Sequence, residues 1–125
     1  MTLALLPDRF TVCLLSGLHG VDPSRPFTFL SVTDGEISLV CPERETPASA
    51  FRAEPGWRAL RVCGTLAFSL TGILAGIAGA LADAEISLFA LSTFRTDYVL
   101  VKEVSLQAAI GALALRGYEV VEDRQ

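Results

Sequence analysis

The side chains able to do chemistry are few and scattered. The one histidine, His19, lies in Ser16-Gly17-Leu18-His19-Gly20, where Ser16 and Asp22 would complete a nucleophile-base-acid trio. No strand-turn-helix nucleophile elbow surrounds Ser16, so His19 is read as an exposed or structural residue rather than a base. Cys13, Cys41 and Cys63 stand 28 and 22 residues apart. That spacing gives neither a zinc pair nor a disulfide framework, and buried thiols in a reducing cytoplasm are the simplest account. The stretch Gly64 to Gly79 is dotted with glycine but contains no Gly-x-Gly-x-x-Gly and no Gly-Lys-Ser/Thr, so neither a dinucleotide nor a nucleoside triphosphate is implied. It does offer the turn after a strand and the first turn of a helix, whose free N–H groups suit a carboxylate or other small anion. Asp97 closes the polar turn Ser92-Thr93-Phe94-Arg95-Thr96-Asp97 between two apolar runs. A turn aspartate ordinarily bonds locally to the backbone; the alternative is that it receives a cationic group. The clusters Glu43-Arg44-Glu45 and Glu122-Asp123-Arg124 read as solvated ends.

Composition narrows the class. Of 125 residues, 51% are hydrophobic and 19% charged, ten basic against fourteen acidic, for a net charge of −4. Mean hydropathy of +0.48 is high enough to bury a core and argues against disorder. Lys102 and nine scattered arginines form no basic patch, so a nucleic-acid partner is not expected. The most apolar stretch, Leu70 to Ala82, holds Thr71 and three glycines and falls short of the roughly 18 or more residues of a bilayer span. No basic region precedes the apolar start, and no signal peptide is read. No cofactor motif is found.

Elements that must position these residues are clearest from residue 57 onward. Trp57 to Cys63 is strand-like, and from Leu70 the large apolar residues recur at Leu70, Ile73, Leu74, Ile77 and Leu81, the stripe of an amphipathic helix. Ser69 or Thr71 would cap it. Its other face is Gly72, Ala75, Gly76, Gly79 and Ala80. Interior glycines cost roughly 1 kcal/mol each against alanine, so close approach by a neighbour is expected to compensate, with cover on both sides. Ile86 to Thr93 and Tyr98 to Val101 form a hairpin. A second helix starts near Ser105, carries Leu106, Ala109, Ile110 and Leu113 on one face, and stops at Gly117. Tyr118 to Val121 closes as a strand. The succession is βαββαβ, the ferredoxin-like arrangement.

The first half supplies strands at Phe10 to Leu15, Phe27 to Val32 and Ile37 to Cys41, with Asp34-Gly35 as a turn. At an offset of 61, Leu30-Ser31 falls on Leu91-Ser92 and Leu39-Val40 on Leu100-Val101, pointing to an internal repeat whose first copy has lost its first helix. Pro42, Pro47 and Pro55 leave room for at most a short helical turn between Cys41 and Pro55.

Phe68 to Ala75, Ile86 to Glu103, Phe29 to Val40 and Trp57 to Val62 together resemble the tandem ACT-domain proteins related to the aspartate kinase regulatory region and the animal cytosolic arginine sensors. The resemblance implies an α+β chain of two ACT-like lobes, a reduced, strand-rich one over residues 1–56 and an ACT domain over 57–125. It implies a non-catalytic regulatory protein that binds a free amino acid between the lobes; the thiols point to the cytoplasm, and the glycine-rich helix face and exposed sheet edges point to a homodimer. Ser31, Val32, Ser69, Thr71, Gly72, Ile73, Thr93, Phe94 and Asp97 would surround the ligand. Backbone groups at Gly72 and Ile73 would meet its carboxylate and Asp97 its positive group. Where the arginine sensors carry acids before the matching glycine, this chain has Ser69-Leu70-Thr71, which leaves a small or neutral amino acid as much a candidate as arginine. The alternative is the same fold as a ligand-free oligomerisation or protein-interaction module.

Overall fold

The apolar positions at helical spacing do form a helix, and the polar turn at Thr93 to Thr96 does join two strands. A computed structural model of the chain describes residues 1–64 and 72–123. Its elements, in order, are β1 (Thr2–Leu15), β2 (Phe29–Val32), β3 (Ile37–Pro42), β4 (Ala50–Val62), α1 (Ile73–Asp83), β5 (Leu88–Ser92), β6 (Asp97–Lys102), α2 (Leu106–Ala114) and β7 (Glu119–Glu122). Single 3-10 turns at Glu43–Glu45 and Glu103–Ser105 follow β3 and β6. The chain divides into two compact units, Met1–Pro7 with Arg58–Gln125, and Asp8–Trp57.

In the larger unit the succession β4-α1-β5-β6-α2-β7 is the expected βαββαβ, and the strands lie in the order β7-β1-β4-β6-β5. The start of β1 pairs in parallel with β7, Thr2 opposite Glu119 through Leu5 opposite Glu122. β5 and β6 pair antiparallel from Leu88 opposite Val101 to Ser92 opposite Asp97. Leu60, Val62, Val99 and Val101 form the sheet side of the core, with Ile77 and Leu81 of α1 and Leu106 and Leu113 of α2 over them. Ile77 and Leu81 are fully buried, each contributing about 1.5–3 kcal/mol relative to exposure.

α1 starts at Ile73, with Gly72 at its N-cap in the left-handed region (φ 84°) and the Gly72 carbonyl accepting the Gly76 N–H at 2.8 Å. Leu70 and the caps expected at Ser69 or Thr71 lie outside the described residues. The close approach expected along the glycine face occurs at Gly76, where an added Cβ would lie 2.5 Å from the Tyr118 hydroxyl. At Gly79 nothing lies within 4 Å, and Ala75 and Ala82 are exposed, so among the described residues the small face is not covered along its length. α2 ends as expected, at Gly117 with φ 87°, where the Tyr118 N–H reaches back to the Leu113 carbonyl at 3.0 Å.

The smaller unit has the strand order β2-β3-β1-β4. β1 pairs antiparallel with β3, Phe10 opposite Pro42 through Leu15 opposite Ile37, and β3 with β2, Phe29 opposite Val40 through Val32 opposite Ile37. Cys13, Leu15, Leu39 and Cys41 pack together on one face, with Val21, Ile37 and Ala50 against them. Between β1 and β2, residues 16–28 make turns and no helix. Phe27 of that segment meets Phe10 edge to face, ring centroids 6.3 Å apart.

Three expectations are corrected here. The repeat has an offset of 60, not 61: the Thr33–Glu36 hairpin bond recurs as Thr93–Thr96, Phe29 opposite Val40 as Phe89 opposite Leu100, and the 3-10 turn at Glu43 as that at Glu103. A slip of one residue exchanges the two faces of a strand, so Val32 and Ile37, rather than Ser31, occupy the rung of Ser92 and Asp97. Second, β1 reaches back to Thr2 through Pro7, and β4 begins at Ala50 and runs through Pro55; proline interrupts neither. Third, the charged cluster after β3 is not merely solvated. Glu43 accepts the Gly56 N–H at 2.6 Å, Arg44 bonds Asp8 at 2.5 Å, and the Glu45 side chain is only 13% exposed. Asp123 likewise pairs with Arg61 at 3.1 Å.

Candidate functional site

Asp97 is not in the turn but is the first residue of β6, half-buried and directly opposite Ser92. The Ser92 hydroxyl donates to Asp97 Oδ1 at 2.5 Å, which orients the carboxylate at the hairpin rim and, among the described residues, leaves its second oxygen without a donor. The turn beyond is closed by the Thr93 N–H on the Thr96 carbonyl at 2.8 Å, with the Thr93 hydroxyl bridging both backbone groups of Thr96. Thr96 then donates its hydroxyl to the Val62 carbonyl at 2.6 Å. That bond pins the hairpin to the end of β4, from which the chain runs on to Gly72 and α1.

Of the nine residues implicated by sequence, Thr93, Phe94 and Asp97 are brought together on this one hairpin. Phe94 is 77% exposed at its tip. Gly72 and Ile73 stand at the N-terminus of α1, where the first helical N–H groups have no partner in the preceding turn of helix. Ser31 and Val32 lie on β2, in the other unit, both exposed. Ser69 and Thr71 lie outside the described residues. The sequence places Ser92 where a strand-like run meets the turn and Thr96 within the turn, with no part in the site expected of either. The signal for Ser92 was its place immediately before the turn closed by Thr93 and Thr96, as Asp97 is immediately after it, and Thr96 had none, since its partner is a backbone carbonyl 34 residues away.

The remaining candidates assemble no reactive centre. His19 is exposed, the Ser16 hydroxyl donates to the Ser49 carbonyl at 3.2 Å, and Asp22 is taken by Ser24. Hydrogen bonds from the Ser24 hydroxyl and N–H, with Arg25 beyond, hold the Asp22 carboxyl below its ordinary value. Cys13 and Cys41 are buried free thiols and Cys63 an exposed one. Burial, then the Cys13 neighbour, pushes the Cys41 thiol up to about 12. Among the described residues, cavities of about 240, 310 and 260 Å³ are lined by residues other than those of the hairpin. No helix among the described residues is long and apolar enough to cross a membrane.

Comparison with known proteins agrees with this architecture. The chain is 36% identical over 100 residues to the mouse protein named Cytosolic arginine sensor for mTORC1 subunit 1, an alignment that covers 74% of the chain and 30% of the relative. It thus spans under a third of the length of the curated relatives it matches. Among solved structures, a protein from Agrobacterium tumefaciens superposes with a TM-score of 0.85 at 28% identity, covering 99% of this chain and 94% of that one. The regulatory subunit of aspartate kinase from Thermus thermophilus, at 11% identity and a TM-score of 0.63 over 90% and 95% of the two chains, shares the fold. Residues 52–114 match the ACT domain family, and the chain belongs to that family.

Proposed function

We propose that the chain is a non-catalytic regulatory ACT protein of the cytoplasm that binds a free amino acid. The observation that carries this reading is the Asp97 carboxylate, oriented by Ser92 on a hairpin that Thr96 ties to the strand leading into α1. A carboxylate acceptor and helix N-terminal donors are the complementary ends that an ammonium and a carboxylate require. The relative whose name records an arginine sensor supports the ligand class. Ser31, Val32, Ser69 and Thr71 enter the proposal on family resemblance. We propose further that residues 1–56 are a reduced ACT-like lobe, which the offset-60 hairpin repeat supports, beside an ACT domain over 57–125. Calorimetric titration with each of the twenty amino acids tests the ligand claim. Saturable heat from one or two of them, lost in Asp97→Asn, supports it, and absence of heat from all of them overturns it.

A second reading, association with a second copy of the chain and no small ligand, is favoured by Val104 and Leu115. They flank α2 and are 93% and 89% exposed. Light scattering of the wild type and of Val104→Ser with Leu115→Ser distinguishes a dimer from a monomer.

A further inference from the structure

Leu39 and Cys41 are the smaller unit's counterparts, sixty residues earlier, of Val99 and Val101. In the larger unit Ile77 and Leu81 of α1 share one buried cluster with those valines. In the smaller unit no helix stands between β1 and β2 among the described residues. Leu39 and Cys41 instead floor a cavity of about 240 Å³ between the segment 20–28 and the turn at Glu43–Glu45. A shortened chain could have closed that space with apolar side chains. Four charges line it instead: Asp22, Arg25, Arg44 and Glu45. The larger unit carries Val104 and Ser105 where this one carries Arg44 and Glu45, so the 3-10 turn itself does not call for charge.

Part of their bonding capacity is used elsewhere, since Ser24 donates to Asp22 Oδ1 and Arg44 Nη1 to Asp8; Asp22 Oδ2, Arg44 Nη2, Arg25 and Glu45 keep capacity of their own. Arg25 Nε stands 3.5 Å from Asp22, Arg25 Nη1 3.8 Å from Glu45 and Arg44 Nη2 3.6 Å from Glu45, all beyond the usual hydrogen-bond length of about 2.7–3.2 Å. Glu45, its side chain only 13% exposed, accepts no hydrogen bond from the described residues. Its charge is balanced by the Arg25 and Arg44 guanidinium groups at 3.8 and 3.6 Å, but its oxygens can still accept a closer, hydrogen-bonding donor. Two cationic and two anionic groups also leave the lining neutral, which suits neither a simple anion nor a simple cation. At about 30 Å³ per water-sized group, the space holds about eight such groups.

We propose that this cavity is a second binding site, for a small zwitterion of amino-acid type with up to about eight non-hydrogen atoms. Its ammonium is received by Glu45, its carboxylate by Arg25 and Arg44, and its aliphatic part by Leu39 and Cys41.

The test is an amide-shift titration by NMR of the full chain carrying Asp97→Ala, so that the hairpin site does not contribute and failure of either proposal leaves the other standing. The probes are L-alanine and L-serine at millimolar concentration, with propionate, ethylamine and inorganic phosphate as partial analogues. Saturable shifts at Gly20, Val21 and Thr46 are expected for alanine or serine, with at least about tenfold weaker binding of propionate and ethylamine, each of which lacks one charge-assisted set of bonds. Glu45→Gln, which keeps the side chain's shape, is expected to weaken alanine binding by the same factor of about ten. No shift at those amides with either amino acid, or equal binding of propionate or phosphate, overturns the proposal. The analogue comparison does so without any variant at the cavity.

Discussion

Ser92 and Asp97 face each other across the last rung of the β5–β6 hairpin, hydroxyl to carboxylate at 2.5 Å, and the same rung in the first hairpin is Val32 opposite Ile37. The two hairpins therefore differ at this rung, and the polar pair lies in the unit that holds both helices. Because Ser92 is exposed, Ser92→Ala is expected to leave unfolding by denaturant within about 1 kcal/mol of the wild type. It frees the Asp97 carboxylate from its orientation and should weaken amino-acid binding about two- to tenfold, less than loss of Asp97 itself. Equal binding in Ser92→Ala and the wild type would show that the hydroxyl does not position the acid.

Gly76 and Gly79, one helical turn apart on α1, are expected to respond with opposite sign. Alanine gains about 1 kcal/mol in a helix interior, and at Gly79 nothing within 4 Å opposes it, so Gly79→Ala should stabilise by about 0.5–1 kcal/mol. At Gly76 the new methyl meets the Tyr118 hydroxyl, and displacing a ring packed on the core costs about 1–3 kcal/mol. Gly76→Ala should therefore lower the midpoint of thermal unfolding, and adding Tyr118→Phe should restore most of the loss. The ring carbon itself, at 3.8 Å, is in ordinary contact.

Thiol chemistry should divide the cysteines. In the folded protein only the exposed Cys63 is expected to react promptly with a disulfide reagent, and all three after denaturation. Cys41 adds a pH dependence. Its thiol titrates near 9 when unfolded and at about 12 when folded, so above pH 9 the unfolded state has lost a proton that the folded state keeps. The associated stability is complete below pH 9 and is lost as the pH rises toward about 12. Cys41→Ala should flatten that alkaline decline in a stability-against-pH series, and an unchanged slope would assign it to other groups.

Much of the larger unit was legible because its residues obey one rule at a time. The spacing of Ile73, Leu74, Ile77 and Leu81 has a helical period and nothing else, and Gly117 stops α2 where a left-handed residue is needed. β1 and β4 were only half visible. Both faces of β1 bury residues at its start, so Leu3 and Ala4 show no alternation, and Pro7 and Pro55 look like breaks although each strand continues through them. The repeat was seen one residue out of phase because Leu-Ser and Leu-Val recur in both copies at the wrong step, while the hydrogen-bonded Thr33 and Thr93 mark the true one. At the site, Asp97 was found by residue type and Ser92 was not, since its part depends on strand register. The charges at Glu43 to Glu45 resembled an ordinary polar turn, and the cavity that Arg44 and Glu45 line brings in Asp22 and Arg25 from a segment about twenty residues earlier, which spacing does not show.

The most direct test of the account is a thermal-unfolding scan of the purified chain against each of the twenty amino acids, run in parallel on Asp97→Ala. A ligand at about 100 times its dissociation constant adds roughly 2.7 kcal/mol, a rise of several degrees for a domain of this size. Such a rise is expected for one or two amino acids with the wild type, with its loss or clear reduction in the variant. No rise with any amino acid, or the same rise in both proteins, would contradict a site built on Asp97.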